Sequence, residues 1–573
     1  MPICRFTTSR PKLAERTERT ERTRRPRLHT LLAGVLMSGA AVCTGATSGT
    51  PLPVAISVDA AAGRHPISPL IYGINFGTTA VLQDLRAPLN RSGGNSASAY
   101  NWRIDARNAG KDWYFESVAA NPAAIDEQFG ERFVAFTQAA GATPIVTIPM
   151  LGRVAKLGPA RETLASFSIA KYGPQPNRDV NGHADAGNGV TAGGKPIDGN
   201  DANDASTPDD PQNEQARVAD LVKRFGGANG GGVRYYALDN EPSLWQINHR
   251  DVHPTGAHAS EIANKVIAYS RAVKSADPHA QIVAPEEWGW PGYFYSGFDQ
   301  QYAADHGFDR TPDRAGETQG MPYVPWLLTQ WKAAGHPVDV FSLHFYPQGG
   351  EFAEAGVTNA QAMALMRNRS TRDLWDPNYK DPTWINSVVA LIPLMRHWAD
   401  TYYYPGTPIA ITEYSWGGDT LMNGATAQAD VLGIFGREGL DIATRWGKLD
   451  PSMPVYKAFK LYRNYDGNGS AFGATSIAAS ASDPDTVSAF AALRERDHAL
   501  TLVVINKQLD RSADTAVALD HFAASGVAQT WRLANNQLAR LPDARYQDGT
   551  LRASLPAQSV TLFVLRGAET RHE

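Results

Sequence analysis

Short apolar runs alternate with amphipathic stretches from residue 70 to about residue 450. The runs are rich in Val, Ile, Tyr and Phe, which is typical of buried strands. They fall at 70–76, 88–94, 144–150, 233–241, 281–287, 338–346, 408–414 and 440–446. Strand candidates that alternate with helix candidates in this way predict an α/β fold, here a (β/α)8 barrel with long insertions.

Four of the intervening stretches carry apolar residues three or four positions apart, the spacing of a helix with one buried face. The stripes are Ile125, Phe129, Phe133 and Phe136; Val218, Leu221, Val222 and Phe225; Ile262, Val266, Tyr269 and Val273; and Ile385, Val388, Ile392 and Met395. We therefore expect a helix over each of these segments, covering the outside of the barrel.

The pattern changes after about residue 466. Apolar and polar residues alternate in short runs punctuated by Gly, Asp and Pro, which predicts antiparallel strands in a β-sandwich. Residues 53–60 are also strand-like and would leave unpaired backbone groups on their own, so we expect them to join the sheet of the tail. The predicted domains are a catalytic barrel at 70–465 and a β-sandwich formed by 53–66 with 466–567.

The first 46 residues have the order of a secretory signal peptide. A basic segment at 10–27 precedes an apolar stretch at 31–42, and small residues follow. The apolar stretch is too short for a membrane-spanning helix, which needs about 20 residues. We expect cleavage near Ala46 and a secreted or periplasmic protein that is free of the membrane; Arg24-Arg25 leaves a twin-arginine signal as an alternative to the general export route.

Composition excludes several classes of protein. The chain has 573 residues and 54 aromatic side chains, too many for a disordered protein, and two cysteines, too few for a disulfide scaffold or a cysteine zinc site. The net charge of −4 divides into +6 on residues 1–46 and −10 on the remainder. Because an acidic body binds nucleic acid poorly, we expect a soluble protein with a neutral or cationic partner. We also expect a monomer.

One long polar segment, 173–213, has no apolar periodicity and is predicted to be a loop. The spacing of Asp179, Asn181 and Asp185 resembles a calcium-coordinating turn, because hard cations bind clustered oxygens. A solvated surface loop is the alternative. We expect no required cofactor, with a structural calcium ion as the one candidate.

Polar residues end several of the predicted barrel strands, and two carboxylates stand out among them. Glu241 ends the fourth strand and Glu413 the seventh. Strand ends converge on one open face of such a barrel, so these side chains can face each other across a substrate. A pair of carboxylates is the machinery of glycoside hydrolysis. A salt bridge to a helix is the alternative for either residue alone.

Sugars also need apolar platforms and hydrogen-bonding groups. Tryptophans 102, 245, 288, 290, 416 and 446 lie in or just after the predicted strand-end loops. The predicted substrate-binding residues are Arg91, Trp102, Asn240, Trp288, His344, Tyr346 and Trp446. Glu286 and Glu287 also end a strand, and we assign them no role.

The glycine-rich segment 225–233 precedes a strand, so we interpret it as a helix-to-strand connection. His249, His253 and His258 fit no zinc spacing, and we interpret them as solvated loop residues.

At these motifs the sequence resembles glycoside hydrolase family 44. The likeness runs through YGINFG (72–77), RSGGNSASAYNW (91–102), LDNEPSLW (238–245), LHFYPQ (343–348) and ITEYSWGG (411–418). The resemblance implies a secreted endo-β-1,4-glucanase or xyloglucanase with a retaining mechanism. It also implies that Glu241 is the acid/base and Glu413 the nucleophile.

Two alternatives stay open. One is another barrel glycosidase that acts on xylan or mannan with the same pair of glutamates. The other is a non-catalytic carbohydrate-binding protein, which the presence of both glutamates argues against. The sequence does not rank cellulose, xyloglucan and related β-glucans as substrates, because that choice depends on side pockets along the cleft.

Overall fold

The computed structural model describes residues 50–121, 123–124, 128–351, 360–547 and 549–567. The predicted signal peptide, 1–46, lies outside the described residues. Among the described residues, no helix has the length and apolar character needed to cross a membrane.

Eight parallel strands close into a barrel. In chain order they are Gly73–Asn75, Leu89–Ser92, Thr143–Ile148, Tyr235–Leu238, Gln281–Glu287, Val340–Phe345, Ile409–Tyr414 and Ile442–Arg445. Each of the eight falls within one of the predicted apolar runs or, for the third, begins one residue before it. The eighth strand pairs with the first through Thr444 and Gly73, which completes the ring. The predicted fold class is confirmed.

The barrel strands have two apolar faces, which explains why their sequences read as continuous hydrophobic runs. One face points into the barrel, where eight side chains fill the interior near the start of the strands: Leu89, Ile145, Tyr235, Ala237, Val283, Val340, Ala410 and Ile442. The other face packs against the surrounding helices. These apolar side chains occupy the end of the barrel at which the strands begin. Polar side chains line the opposite end, the barrel mouth, where the strands have their carboxyl ends.

Helices surround the barrel and fill its insertions. The α-helices are Thr79–Leu85, Asn95–Ser98, Glu131–Ala139, Ile169–Tyr172, Pro211–Phe225, Trp245–Asn248, Ala259–Ala276, Trp290–Phe294, Gly297–His306, Pro312–Gly316, Tyr323–Ala333, Ala360–Arg369, Leu391–Trp398, Met422–Arg437 and Pro454–Arg463. A short π-helix, Ala399–Tyr403, follows the thirteenth of these. Three of the four predicted stripes lie wholly or partly on helices that match them; Ile125 lies outside the described residues.

The fourth predicted helix was wrong over its first half. The helix begins at Leu391, so Ile385 and Val388 lie in the preceding loop, where Val388 bridges Lys380. The N-cap residue of this helix, Ala390, has a left-handed backbone with φ of 39°. A left-handed residue cannot continue an α-helical ladder, so the apolar spacing across it is coincidental.

The β-domain is built from both ends of the chain, as predicted. Its strands are Leu52–Asp59, His65–Pro66, Thr475–Ala481, Val487–Arg494, Ala499–Asn506, Ala513–Asp520, Ala524–Ala534, Gln537–Gln547, Thr550–Leu555 and Ser559–Gly567. The strand Leu52–Asp59 pairs parallel with Ala513–Asp520 on one side and antiparallel with Thr475–Ala481 on the other. The sheet therefore closes around its own apolar core, and the amino-terminal strand completes it.

The β-domain packs against the barrel through the helix Met422–Arg437. A Cβ on Gly433 would lie 2.3 Å from the ring of Phe490, so only glycine allows this close approach. Lys507 of the β-domain and Asp430 of the helix form a buried ion pair with Nζ and Oδ2 2.6 Å apart. The contact is therefore both apolar and charged.

The polar segment after residue 173 is irregular only as far as Ala205. A short strand, Ser206–Pro208, then pairs with Arg153–Ala155, and the helix Pro211–Phe225 begins within the segment predicted as loop. Asp210 accepts a hydrogen bond from the backbone N–H of Asn213, and Pro211 occupies the first helical turn. This Asp-Pro start is a helix signal that the sequence contained.

Candidate active site

The two predicted catalytic glutamates meet at the mouth of the barrel. Glu241 lies just beyond the fourth strand and Glu413 within the seventh, and each is 5% exposed. His344, from the sixth strand, lies between them. Its Nδ1 is 3.1 Å from Oε1 of Glu241 and 3.7 Å from Oε2 of Glu413. One oxygen of each glutamate and one nitrogen of the histidine all lie within 4.8 Å of one another.

Both oxygens of Glu413 accept hydrogen bonds. Arg91 donates from Nη1 to Oε1 over 2.8 Å, and the hydroxyl of Tyr346 donates to Oε2 over 2.8 Å. Donors on both oxygens stabilise the ionised carboxylate and fix its orientation. The structure therefore brings Arg91 and Tyr346, two of the predicted substrate-binding residues, into contact with Glu413.

Arg91 is fully buried and is shared between two carboxylates. Its second terminal nitrogen, Nη2, lies 2.7 Å from Oε2 of Glu286, and it also donates to Oδ1 of Asn240 over 3.2 Å. Burial alone would lower the pKa of Arg91, but Glu286 and Glu413 outweigh it and raise the pKa. The guanidinium therefore stays charged and links the second, fourth, fifth and seventh strands.

His344 carries a positive charge at neutral pH. Burial alone would lower its pKa, but Glu413, Glu241 and Glu286 together raise it to about 9. Its Nε2 lies 3.3 Å from Oε2 of Glu286, on the side opposite Glu241. The ring is therefore held by carboxylates at both nitrogens.

Glu286 is a member of this site that the sequence analysis left without a role. Burial would raise its pKa, but Arg91 and then His344 lower it to about 2. The hydroxyl of Thr412 donates to its other oxygen over 2.8 Å. Glu286 touches both cations of the site, so it belongs to the same network as Glu241 and Glu413.

The backbone at this end of the barrel is strained. Asp239, Glu241 and Glu286 all have left-handed backbones, with φ of 61°, 48° and 60°. Such conformations cost roughly 1–3 kcal/mol each for residues other than glycine and are concentrated at functional sites. Asn240 lies between two of them, with its amide oxygen accepting from Arg91 and from the backbone of Gly94.

Three of the predicted aromatic platforms are partly exposed near strand ends. Trp446 packs edge-on against Phe76. Trp102 packs on the same side of the barrel, in a cluster that includes Phe76 and Phe129. Trp288 donates from its indole nitrogen to Gln300 over 3.3 Å.

Two of the other tryptophans considered as platforms are not available to a sugar. Trp245 and Trp416 are buried in the main hydrophobic core. Trp290 is partly buried and packs against the same core, stacked edge-on with Phe294. Strand-end position alone does not distinguish a platform from a core residue, because the loops fold back over the barrel.

The prediction of solvated loop histidines is wrong for His249, whereas His253 and His258 are partly exposed. His249 is buried, and burial lowers its pKa to about 3. His253 lies 2.9 Å from Oε1 of Glu261, and His258 lies 2.7 Å from Oδ1 of Asp313. The partner of His253 is eight positions along the chain, and the partner of His258 is 55 positions along.

His258, Asp313 and Glu317 each offer one atom that could ligate a metal ion, and these three atoms lie within 4.8 Å of one another. Asp313 and Glu317 accept hydrogen bonds from the backbone N–H groups of Ala259 and Ser260. The two carboxylates therefore cap the start of the helix Ala259–Ala276.

The glycine-rich segment 225–233 forms a helix-to-strand connection, as predicted.

The predicted calcium residues make hydrogen bonds within the loop. The carboxylate of Asp179 accepts from the backbone N–H groups of residues 181, 182 and 183. Asp185 accepts from Ser168 and from the backbone of Ala170. Calcium binding at Asp179, Asn181 and Asp185 stays a prediction, and a fall in melting temperature on adding a chelator is the measurement that tests it.

A closed parallel barrel that holds two carboxylates at the carboxyl ends of its strands, beside partly exposed tryptophans, is the arrangement of a barrel glycosidase. The family model for glycoside hydrolase family 44 matches residues 106–349. The chain is 34% identical over 518 residues to Endoglucanase A of Paenibacillus lautus, covering 83% of this chain and 68% of that protein. The chain therefore belongs to glycoside hydrolase family 44, and the predicted family and enzyme class are confirmed.

Another relative and two solved structures are also similar to this chain. Beta-mannanase/endoglucanase A of Caldicellulosiruptor saccharolyticus is 30% identical over 503 residues, which cover 81% of this chain but 35% of that longer protein. The crystal structure of a bifunctional glucanase-xylanase from a metagenome library superposes with a TM-score of 0.87 at 52% identity, covering 91% of this chain and all of the other. A Paenibacillus polymyxa xyloglucanase superposes with a TM-score of 0.72 at 27% identity, covering 90% of this chain.

Proposed function

We propose that this chain is a secreted, retaining endo-β-1,4-glucanase that hydrolyses plant β-glucans by double displacement. The observation that carries the proposal is the approach of Glu241 and Glu413, with one oxygen of each within 4.8 Å. Retaining glycosidases hold their two carboxyl groups about 5–5.5 Å apart, whereas inverting enzymes hold them about 6.5–9.5 Å apart to seat a water between them. The short separation supports a covalent intermediate.

The hydrogen bonds support the assignment of roles. Glu413 is held by Arg91 and Tyr346 on both of its oxygens, which suits an ionised nucleophile. Glu241 contacts His344 through Oε1. Its backbone N–H donates to the carbonyl of Glu286, which fixes its base at the fifth strand. One side-chain partner on Glu241, against two donors on Glu413, makes Glu241 the better candidate for the acid that must gain and lose a proton.

The reaction follows from these positions. Glu241 donates its proton to the glycosidic oxygen while Glu413 attacks the anomeric carbon, so the bond to the leaving chain breaks and an ester forms. Glu241, now ionised, removes a proton from a water that attacks the same carbon. The ester breaks, Glu413 regains its charge, and the sugar keeps its original configuration.

The relatives support a β-1,4-glucan substrate and add one second candidate. Endoglucanase, xyloglucanase and glucanase-xylanase are the activities that the names of these relatives give for those proteins. The 52% identical glucanase-xylanase favours xylan as an additional substrate of this chain. A mannan-active enzyme is supported by the name of one more distant relative.

A polysaccharide panel tests this function. Reducing-sugar release should be highest on a soluble β-1,4-glucan or xyloglucan, with xylan as a secondary substrate. The first product seen by proton NMR should be the β-anomer. An α-anomer would contradict the retaining mechanism, and release from mannan alone would overturn the substrate class. No release from any member would favour a carbohydrate-binding protein.

Variants of the two glutamates test their roles. Glu413→Gln should abolish activity on every substrate, because an amide cannot form the ester. Glu241→Ala should retain cleavage of aryl glycosides with good leaving groups, and azide should accelerate it and give a β-glycosyl azide. Glu438→Gln, on the partly exposed end of the helix Met422–Arg437, is a matched control that should keep full activity. An α-azide from Glu241→Ala would mean that the roles are reversed.

We also propose that residues 1–46 direct export. The basic, apolar and small-residue order of this segment supports the proposal. Amino-terminal sequencing of protein recovered outside the cells should give a chain that starts near residue 47. A recovered protein that retains Met1 would contradict it.

A further inference from the structure

Glu286 is the point at which the two cations of the active site meet. Its Oε2 lies 2.7 Å from Nη2 of Arg91 and 3.3 Å from Nε2 of His344. The side chains of all three residues are fully buried. Neither Arg91 nor His344 can shift without breaking its contact to Glu286.

The far ends of the same two cations contact the catalytic pair. Arg91 donates from Nη1 to Glu413, and Nδ1 of His344 lies beside Glu241. A line of contacts therefore runs from Glu286 through Arg91 to the nucleophile and through His344 to the acid. Glu286 itself is on the far side of both cations from the two catalytic carboxylates, so it acts through them.

We propose that Glu286 is a positioning residue that holds Arg91 and His344 against Glu413 and Glu241 and keeps the site electrically neutral through the whole reaction. This inference rests on the proposed function, because it takes the roles of the two catalytic glutamates from it.

The charges balance in both states of the cycle. Before reaction, Arg91 and His344 supply two positive charges, Glu286 and Glu413 supply two negative charges, and Glu241 carries the proton. In the covalent intermediate, Glu413 is an uncharged ester and Glu241 has given up its proton. Two positive and two negative charges remain, so these five groups together carry no net charge in either state.

Of the other titratable groups near this network, Asp239 is held by the backbone N–H groups of Met150 and Asn240, and burial raises its pKa to about 6. Burial raises the pKa of Glu287, which lies behind Glu241, to about 8. Tyr346 contacts Glu413 as a hydroxyl donor, and Tyr293 donates its hydroxyl to the carbonyl of His344. Burial raises the pKa of Tyr293. Glu286 is therefore the second anion that the two cations require.

The variant Glu286→Gln tests the proposal, since it removes one negative charge at nearly constant shape. With that charge gone, each remaining group binds its proton less firmly. Both limbs of the kcat/KM pH profile should move to lower pH by about one unit, the shift in pKa expected when a negative charge in direct contact is removed. We expect kcat to fall about 10- to 100-fold, with little change in KM. A variant that was only misfolded in part would lose activity without moving the limbs.

Two controls separate charge from shape. Glu286→Asp keeps the charge on a shorter side chain, so it should lower kcat and leave the limbs in place. Thr412→Val removes the 2.8 Å hydrogen bond to Glu286 without changing any charge, and it should also leave the limbs in place. Limbs that stay fixed in Glu286→Gln, or that move equally in all three variants, would overturn the proposal.

A second measurement does not depend on the folding of Glu286→Gln. Imidazole signals of the wild-type enzyme labelled with ¹⁵N-histidine, with His344 assigned from the spectrum of His344→Gln, should show His344 protonated up to about pH 9. Titration of His344 near pH 6.5 would overturn the proposal. A wild-type enzyme that cleaves no β-glucan while His344 still titrates near pH 9 would reject the proposed function and leave the charge arrangement standing.

Discussion

Glu286 and Glu287 are adjacent on the fifth barrel strand and equally buried, yet they differ in charge. Arg91 and His344 bring the pKa of Glu286 to about 2 against the effect of burial. Burial raises the pKa of Glu287 to about 8, with a hydrogen bond from Ser243 opposing this shift and the nearby carboxyl group of Glu241 adding to it. One is an anion at pH 7 and the other an uncharged acid.

The difference lies in the two regions that these side chains enter. Glu286 enters the barrel mouth, where two cations are within contact distance. Glu287 enters the layer between the strand and the helix Tyr323–Ala333, where Ser243 donates over 2.6 Å and no cation in the described residues forms an ion pair with it. Burial sets the cost of a charge, and the neighbours decide whether the charge exists.

A third buried acid, far from the barrel mouth, repeats the behaviour of Glu287. Burial, and then the facing carboxyl of Asp381, raises the pKa of Asp373 to about 9. Neither oxygen of Asp373 has a hydrogen-bond donor among the described residues. This acid avoids a buried charge by keeping its proton, whereas the barrel mouth avoids one by pairing.

The largest effect should come from Arg91→Met, which makes the environment of Glu286 resemble that of Glu287. Glu286 and Glu413 would lose their shared cation. We expect kcat to fall at least about 10²-fold and the free energy of unfolding to fall by about 3–5 kcal/mol, the cost of leaving a buried charge unpaired. Urea unfolding and steady-state kinetics measure the two. Unchanged kcat and an unchanged pH profile would contradict the role given to Arg91.

Asp373→Asn should flatten the pH dependence of stability without affecting activity. The pKa of Asp373 is higher in the folded than in the unfolded chain, so its stabilisation is complete below about pH 4 and is lost as the pH rises through about 9. The uncharged variant avoids that loss. It should therefore be more stable than the wild type at pH 9 and match it near pH 4. Equal pH slopes for both proteins would be inconsistent with a buried, uncharged Asp373.

Glu287→Gln should act in the same direction with a smaller effect. The stabilisation from Glu287 is present below about pH 4.5 and is lost as the pH rises through about 8. The variant should therefore gain stability relative to the wild type as the pH rises from 5 to 9. Melting temperatures measured across this range provide the test. A variant less stable than the wild type at pH 9 would show that Glu287 is ionised.

Ser243→Ala should have the smallest effect, since it removes one hydrogen bond from Glu287 and no charge. The expected loss is about 1 kcal/mol of unfolding free energy. The charged network at the barrel mouth and the limbs of the kcat/KM pH profile should be unaffected. Thermal unfolding at pH 6 measures it. A loss as large as that of Arg91→Met would mean that Ser243 supports more than this bond.

The barrel could be predicted from sequence because each strand is a short apolar run with its own local signal. Arg91, Glu241, His344 and Glu413 could be predicted as a group, since each is a polar residue at the end of such a run. The role of Glu286 could not. What defines it is contact with Arg91, 195 positions away, and with His344, 58 positions away.

Packing also decided the cases in which prediction was wrong. Trp245 and Trp416 have the same local setting as Trp446, and only the folding of the loops over the barrel buries the first two. The stripe from Ile385 to Met395 had helical spacing, but the left-handed residue Ala390 interrupts it. Neither burial nor backbone hand is encoded in apolar spacing alone.

The pairing of Leu52–Asp59 with Ala513–Asp520 also determines the order in which this protein is able to fold. The amino-terminal strand is synthesised about 450 residues before its parallel partner, which takes about 20–90 s at common rates of translation. All eight barrel strands, the last of which ends at Arg445, are synthesised before then. The first strand therefore has no parallel partner until synthesis is nearly finished, and closing a loop of this length is slow.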